Sequence, residues 1–178
     1  HQSILKYPEL AAKSFAVFSF GKVFHATGWK LGYCVAPKPL TTAFQQLHQF
    51  VVYACNTPIQ YAIATYLDDT RTYLELPGLF QQKRDFFIDK LAYGPFKIKP
   101  AAGTYFQLLD YSGITEEADT AFANRLTRDF GIASIPISVF YHDKQDKKQL
   151  RFCCAKSDEI LKDAAKRLLH AAETIMER

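Results

Sequence analysis

At 178 residues the chain is long enough to bury a core, as one domain or as two small ones. Its 48% hydrophobic and 22% charged content is that of an ordinary globular protein, which argues against a disordered or fibrous chain. The net charge of +4 comes from scattered basic residues, so there is neither a nucleic-acid stripe nor a polybasic membrane patch, and no apolar run is long enough to span a bilayer.

The opening residues show no signal-peptide pattern, and a chain that begins at His1 rather than Met leaves room for a start further upstream. Residues 1–14 are polar, carry Pro8, and read as a loop or short helix leading into a strand over Phe15 to Phe20. A polar loop with two lysines, Lys22 and Lys30, follows, and then a second strand-like run from Leu31 to Ala36. Strand, polar loop, strand is a frame that can hold a lysine rigidly against a ligand.

After Pro37 and Pro39, the spacing of Leu40, Phe44, Leu47 and Val51 predicts a helix over Leu40 to Tyr53. Asn56-Thr57-Pro58 reads as a stop followed by a new helix start, with proline in the first turn. That helix is expected to run to about Leu67, where Asp68-Asp69-Thr70 breaks it. A domain change is expected near residues 70–77, where short helices give way to a strand–helix pattern.

Pro77 opens the next predicted helix, with Leu79, Phe80, Phe86, Phe87 and Leu91 on its apolar face and a solvated polar face from Gln81 to Asp85. Phe96 to Lys99 and Thr104 to Asp110 read as strands, with Gly103 allowing the turn between them. Glu116 and Glu117 favour a helix start, Phe122, Leu126 and Phe130 give that helix its stripe, and Gly131 closes it. Ile132 to Tyr141 is extended with Pro136 inside it, and so an edge or irregular strand. A charged loop over His142 to Gln149 precedes a strand over Leu150 to Ala155. Ser157 caps the last helix, whose apolar positions are Ile160, Ala164, Leu168 and Ala172.

Cys34, Cys55, Cys153 and Cys154 lie in apolar runs without Cys-x-x-Cys spacing. They read as buried free thiols in a reducing cytosol, and no disulfide or metal site is expected.

The most informative stretch is Ser19-Phe20-Gly21-Lys22, followed by Thr27-Gly28-Trp29-Lys30-Leu31-Gly32-Tyr33. It resembles the lysine-bearing loop of pyridoxal-phosphate (PLP) enzymes of the aspartate aminotransferase fold. Further strings along the chain, His48-Gln49-Phe50, Asn56-Thr57-Pro58-Ile59-Gln60, Gly103-Thr104-Tyr105-Phe106, Ile135-Pro136-Ile137-Ser138-Val139-Phe140 and Arg151-Phe152-Cys153-Cys154-Ala155-Lys156, resemble the kynurenine/methionine branch of the class I/II aminotransferases in order and spacing.

The resemblance implies an α/β fold class, the C-terminal part of a fold-type I PLP-dependent transferase. Residues 1–75 would be the end of the large PLP-binding domain and residues 76–178 the α+β small domain. It implies that Lys22 carries the cofactor and shuttles the substrate proton, and that Ser19 and Lys30 bind the cofactor phosphate as a hydroxyl donor and a fixed cation. Arg151 becomes the clamp on the substrate α-carboxylate, which a planar fork suits. From its own residues alone, Arg151 reads better as an edge-strand arginine pairing with a surface acid, and only the resemblance makes it the clamp. Tyr53 matches an aromatic that reaches toward a neighbouring subunit's pocket, and also fits a core or interface aromatic. Tyr105 fits a pocket wall or a core position, and His25 and His48 fit structural roles.

Family chains are roughly twice as long. Their first half holds the ring-stacking aromatic, the groups that touch the cofactor's 3′-oxygen and the aspartate at its ring nitrogen, none of which has a counterpart here. The implied function is transfer of an amino group between methionine or an aromatic amino acid and a 2-oxo acid, in a cytoplasmic homodimer. A carbon–sulfur β-lyase of the same fold shares Lys22, Ser19, Lys30 and Arg151. A transcriptional regulator with an aminotransferase-like PLP-sensing domain is the alternative from another class.

Overall fold

The computed structural model describes residues 2–177. Its first compact unit ends at Leu76 and its second begins at Pro77.

The first unit opens with a 3-10 turn over Ile4–Lys6 and one helical turn, α1 (Pro8–Ala11), which proline starts without losing a helical donor. Strands β1 (Ala16–Ser19) and β2 (Gly32–Val35) pair antiparallel, from Ala16 opposite Val35 to Ser19 opposite Gly32. The loop between them is itself folded, into α2 (Phe20–Val23) and a 3-10 turn over Thr27–Trp29. Gly32 lets the strands approach, because a Cβ there would lie 2.3 Å from the Phe18 carbonyl oxygen. That is a backbone clash which no rotamer change relieves.

Helix α3 (Lys38–Val51) begins earlier than its apolar spacing predicts, because Pro39 sits in the first turn rather than ahead of it. Asn56 caps α4 (Thr57–Leu67) by accepting a hydrogen bond from Ile59 N at 3.2 Å. The breaker at residues 68–70 is followed by an unpredicted turn of helix, α5 (Arg71–Leu74), whose start is held by Asp69 accepting from Arg71 N at 3.1 Å. Ala16, Leu31 and Ile63 are the buried apolar side chains of this unit among the described residues. Along the paired strands Phe15, Val17, Tyr33 and Val35 are exposed, Val17 at 75%.

The second unit contains α6 (Leu76–Leu91) from its second residue on, β3 (Phe106–Asp110), α7 (Asp119–Phe130), β4 (Ile135–Pro136), β5 (Gln149–Cys153) and α8 (Asp158–Met176). The sheet is antiparallel in the order β3-β5-β4, so β5 is central and Pro136 keeps β4 a two-residue edge. Period-two alternation turns Leu109, Leu150 and Phe152 into a core shared with Phe87 and Leu91 of α6, Phe122 and Leu126 of α7, and Leu161 and Leu168 of α8. The same alternation puts Arg151 on the opposite face, across from Leu108 and Ile135.

Several local expectations are corrected. Phe96–Lys99 forms no regular strand and keeps one bridge, Lys97 to Asp110. The fully buried Gln107 replaces the missing pairing: its Nε2 donates to the carbonyls of Lys99 (2.9 Å) and Leu108 (2.7 Å), and its Oε1 accepts from Ala101 N (3.0 Å). Helix α7 starts at Asp119 rather than at Glu116, because Lys148 Nζ holds the carbonyls of Glu116 and Glu117 outside the helix. The buried stripe of α8 runs through Leu161, Ala165, Leu168, Ala172 and Ile175, and Ile160 is exposed. The polar face of α6 is not simply solvated: Arg84 donates to the Ala101 carbonyl at 2.6 Å and Lys83 pairs with Asp158 at 2.7 Å. All four cysteines are free, but only Cys154 is buried, while Cys55 and Cys153 are exposed. Cys153 and Cys154 are consecutive, so they point to opposite sides of the extended chain.

Two buried acidic groups of this unit, the Cys154 thiol just after β5 and the Tyr111 phenol just after β3, should make it alkali-sensitive. Burial, and then the neighbouring Cys153, push the Cys154 thiol from 9.0 up to about 11. Burial, and then Asp146, also raise the Tyr111 phenol. The fold therefore holds both protons more tightly than the unfolded chain does. Their stabilisation is complete below the unfolded thiol's value and is lost as pH rises through the folded one. For Cys154 alone this amounts to roughly 2–3 kcal/mol. Denaturant unfolding of the second unit, followed by circular dichroism, should show stability falling above about pH 9. A flat profile from there to about pH 11 would contradict this account.

Candidate functional site

Ser19, Lys22 and Lys30 line one cleft. Ser19 ends β1, and its hydroxyl accepts from Gly21 N at 3.1 Å, which leaves its own O–H available as a donor. Lys22 projects from α2 into solvent. Lys30 follows the 3-10 turn with φ +53°, a left-handed conformation unusual for a residue with a side chain. Such a conformation costs on the order of 1–3 kcal/mol, and the next residue is tied back to the start of the loop by Phe20 N donating to the Leu31 carbonyl at 3.1 Å. With Gly21, Thr27, Leu31 and Gly32 these residues enclose an open cleft of about 350 Å³.

The cleft suits a phosphorylated aldehyde cofactor. Its lining brings two ammonium groups and two hydroxyls and includes no carboxylate. Gly21 keeps the floor clear, since a Cβ there would stand 3.1 Å from Thr27 Cα and 3.3 Å from Ser19 Oγ. Neither lysine has an acidic partner among the described residues, so both charges remain for an anion.

Arg151 belongs to the second unit and has its own surroundings. It stands on the central strand, so the reading of it as an edge-strand arginine does not hold. Its guanidinium carbon lies 4.1 Å from the ring centroid of Phe106 and 4.8 Å from that of Phe140. Its Nε is buried without a hydrogen-bond partner, and no carboxylate pairs with it among the described residues. A half-buried cation without a counterion is unfavourable until an anion arrives, and a planar fork favours a carboxylate.

The other candidates are more dispersed. Tyr53 follows α3 at φ +66° with 86% of its surface exposed, so it is not a core aromatic within its own unit. Tyr105 is half-buried and packs against Phe80 and Phe106. His25 sits in the loop after α2 at φ +53°, and His48 lies beside Phe44 with its Nε2 3.9 Å from Cys55 Sγ. No group of three or more metal-ligating side chains occurs among the described residues, and no helix there is long and apolar enough to cross a membrane.

Sequence reasoning missed the support behind Arg151. Asp119 is buried at the start of α7, and its carboxylate accepts from Ser138 N at 2.8 Å and Ser138 Oγ at 2.7 Å. This fixes the 3-10 turn over Ser138–Phe140 that carries Phe140. Nothing local in the sequence links Asp119 to residue 138, nineteen positions on.

Comparison with known proteins gives a consistent result. A family model for aminotransferase class I and II matches residues 4–168. Methionine aminotransferase of Escherichia coli K12 is 43% identical over 169 residues, which are 94% of this chain and 44% of that protein. A kynurenine–oxoglutarate transaminase of Dictyostelium discoideum is 30% identical over 95% of this chain and 44% of its own length. An Escherichia coli crystal structure with a methionine aminotransferase function superposes with a TM-score of 0.90 at 43% identity, covering 96% of this chain and 45% of that one. N-succinyldiaminopimelate aminotransferase from Mycobacterium tuberculosis superposes at 0.80 with 30% identity, over 90% of this chain and 42% of its own. The chain thus spans less than half the length of these relatives.

Proposed function

The chain belongs to the class I and II aminotransferases, and from that premise we propose that it forms the C-terminal part of a PLP-dependent enzyme. That enzyme moves an amino group between methionine or an aromatic amino acid and a 2-oxo acid. The observation that carries the reading is the convergence of Ser19, Lys22 and Lys30 on one cleft whose lining has no acid. The first unit is the end of the large cofactor-binding domain, and the second is the small domain.

PLP, when bound, supplies an aldehyde that takes up the amino group and a ring that draws electrons from the substrate α-carbon. The Ser19 hydroxyl and the Lys30 ammonium hold the phosphate. The Lys22 amine would anchor the cofactor and would carry the proton to and from the substrate α-carbon. Arg151 fixes the α-carboxylate and thereby the orientation of the α-carbon. The lining of the Lys22 cleft offers no carboxylate for the cofactor's ring nitrogen, so this chain in isolation is inactive. The working form is a cytoplasmic homodimer whose Tyr53 reaches the neighbouring pocket.

The test is an assay of the complete polypeptide with methionine, phenylalanine or tyrosine as donor. Release of the corresponding keto acid that depends on an added 2-oxo acid supports the proposal. Release of pyruvate and thiol from cystathionine without an acceptor would instead assign a β-lyase.

A further inference from the structure

We infer that Phe140, seated by the Asp119–Ser138 contact, is a positioning residue for the substrate carboxylate and acts by aligning the Arg151 guanidinium. This deepens the proposed function, because it rests on Arg151 being the carboxylate clamp.

An arginine side chain has many rotamers, and a bidentate grip uses one. Among the described residues Arg151 has no ion pair to select that rotamer, and its buried Nε is without an acceptor. The two aromatic neighbours remain as orienting groups. Phe106 is in the sheet, on the neighbouring strand, and is half-buried. Phe140 is on a 3-10 turn and is 57% exposed, so its own burial does not hold it in place. Its place is set by Ser138, two residues earlier, whose N–H and O–H both donate to the buried Asp119 carboxylate. The backbone of Asp119 is in turn fixed by its N–H donating to Asp146 Oδ2 at 3.2 Å. The chain of contacts therefore runs from the first turn of α7, through a buried charged anchor, to the ring at Arg151. Ring faces attract a guanidinium without using its N–H groups, so the fork stays free for a carboxylate.

The experiment uses the complete polypeptide and two probes. Methylthiobutanoate has the carboxylate of methionine without the amine, and methylthiopropylamine has the amine without the carboxylate. Phe140→Leu keeps an apolar side chain and removes the ring face, whereas Phe140→Tyr keeps the face. Phe140→Leu should weaken methylthiobutanoate binding and raise KM for methionine by about 2- to 30-fold, with a smaller change in kcat. Phe140→Tyr should restore both, and methylthiopropylamine affinity should stay level. Ser138→Ala, which keeps the backbone bond to Asp119 and removes the hydroxyl one, should move the same readouts in the same direction, and it serves if the leucine variant fails to fold. Equal weakening of both probes, or wild-type binding in Phe140→Leu and Ser138→Ala alike, overturns the inference. Arg151→Ala, run in parallel, separates the two levels. If it binds methylthiobutanoate normally, the clamp assignment itself has failed. If it binds poorly while the Phe140 and Ser138 variants bind well, only the positioning role has failed.

Discussion

Replacing Lys22 with alanine in the complete polypeptide should reduce transamination by about 10²–10⁴-fold or more, because the proposed function gives this one side chain both the anchoring of the cofactor and the carrying of the proton. The cleft leaves no obvious substitute. Lys30 lines it too, but it follows the second turn of the loop in a left-handed conformation, whereas Lys22 stands on α2. The check is borohydride reduction followed by peptide mapping. Label should be retained on the Lys22 peptide in the parent and be absent from Lys22→Ala. Lys30→Ala should keep the label at Lys22 while losing cofactor on dilution, since it removes a phosphate charge and not the reacting amine. Label on Lys30 in the parent would reverse the two roles.

Arg151→Ala should lower kcat/KM for amino-acid substrates by roughly 30- to 5,000-fold, the range set by a lost charge-assisted pair of about 2–5 kcal/mol. Cofactor content should stay at parental levels, because Arg151 belongs to the second unit and Ser19, Lys22 and Lys30 to the first. Arg151→Lys should recover little. An ammonium cannot present two parallel donors to a carboxylate, and it loses the flat stacking that Phe106 and Phe140 give a guanidinium. Parental kinetics in Arg151→Ala would remove this residue from the site.

The helices were legible where proline, asparagine, serine or glycine marks their ends. Asn56 with Pro58, Gly131 and Ser157 each lie at the boundary their chemistry suggests, whereas Pro39 lies inside the first turn of α3 rather than ahead of it. Phases and tertiary substitutions were not legible. In α8, Ile160 and Leu161 are equally apolar, and only packing on the sheet decides that Leu161 faces inward. A strand over Phe96–Lys99 was a fair reading of its residues, but the side-chain amide of Gln107 satisfies that segment instead, and no local pattern announces a buried glutamine. The short motif Ser19-x-Gly21-Lys22 was legible because its members are neighbours along the chain and remain so in the cleft. The sandwich around Arg151 draws on residues 106 and 140, and the anchor behind it on 119 and 138, so it exists only once β3, α7 and β5 are assembled.

The unequal cores of the two units also bear on cooperativity. The second unit encloses a continuous apolar cluster drawn from three helices and its sheet, enough to melt as a single transition. The first has, among the described residues, three buried apolar side chains and a two-stranded ribbon open to water, too little burial to offset the entropy of ordering it. Heating this chain should therefore give a sharp calorimetric peak from the second unit over a broad, nearly featureless slope from the first. A single midpoint temperature would describe only the part that carries Arg151, and the lysine-bearing loop would have lost its shape before that midpoint is reached.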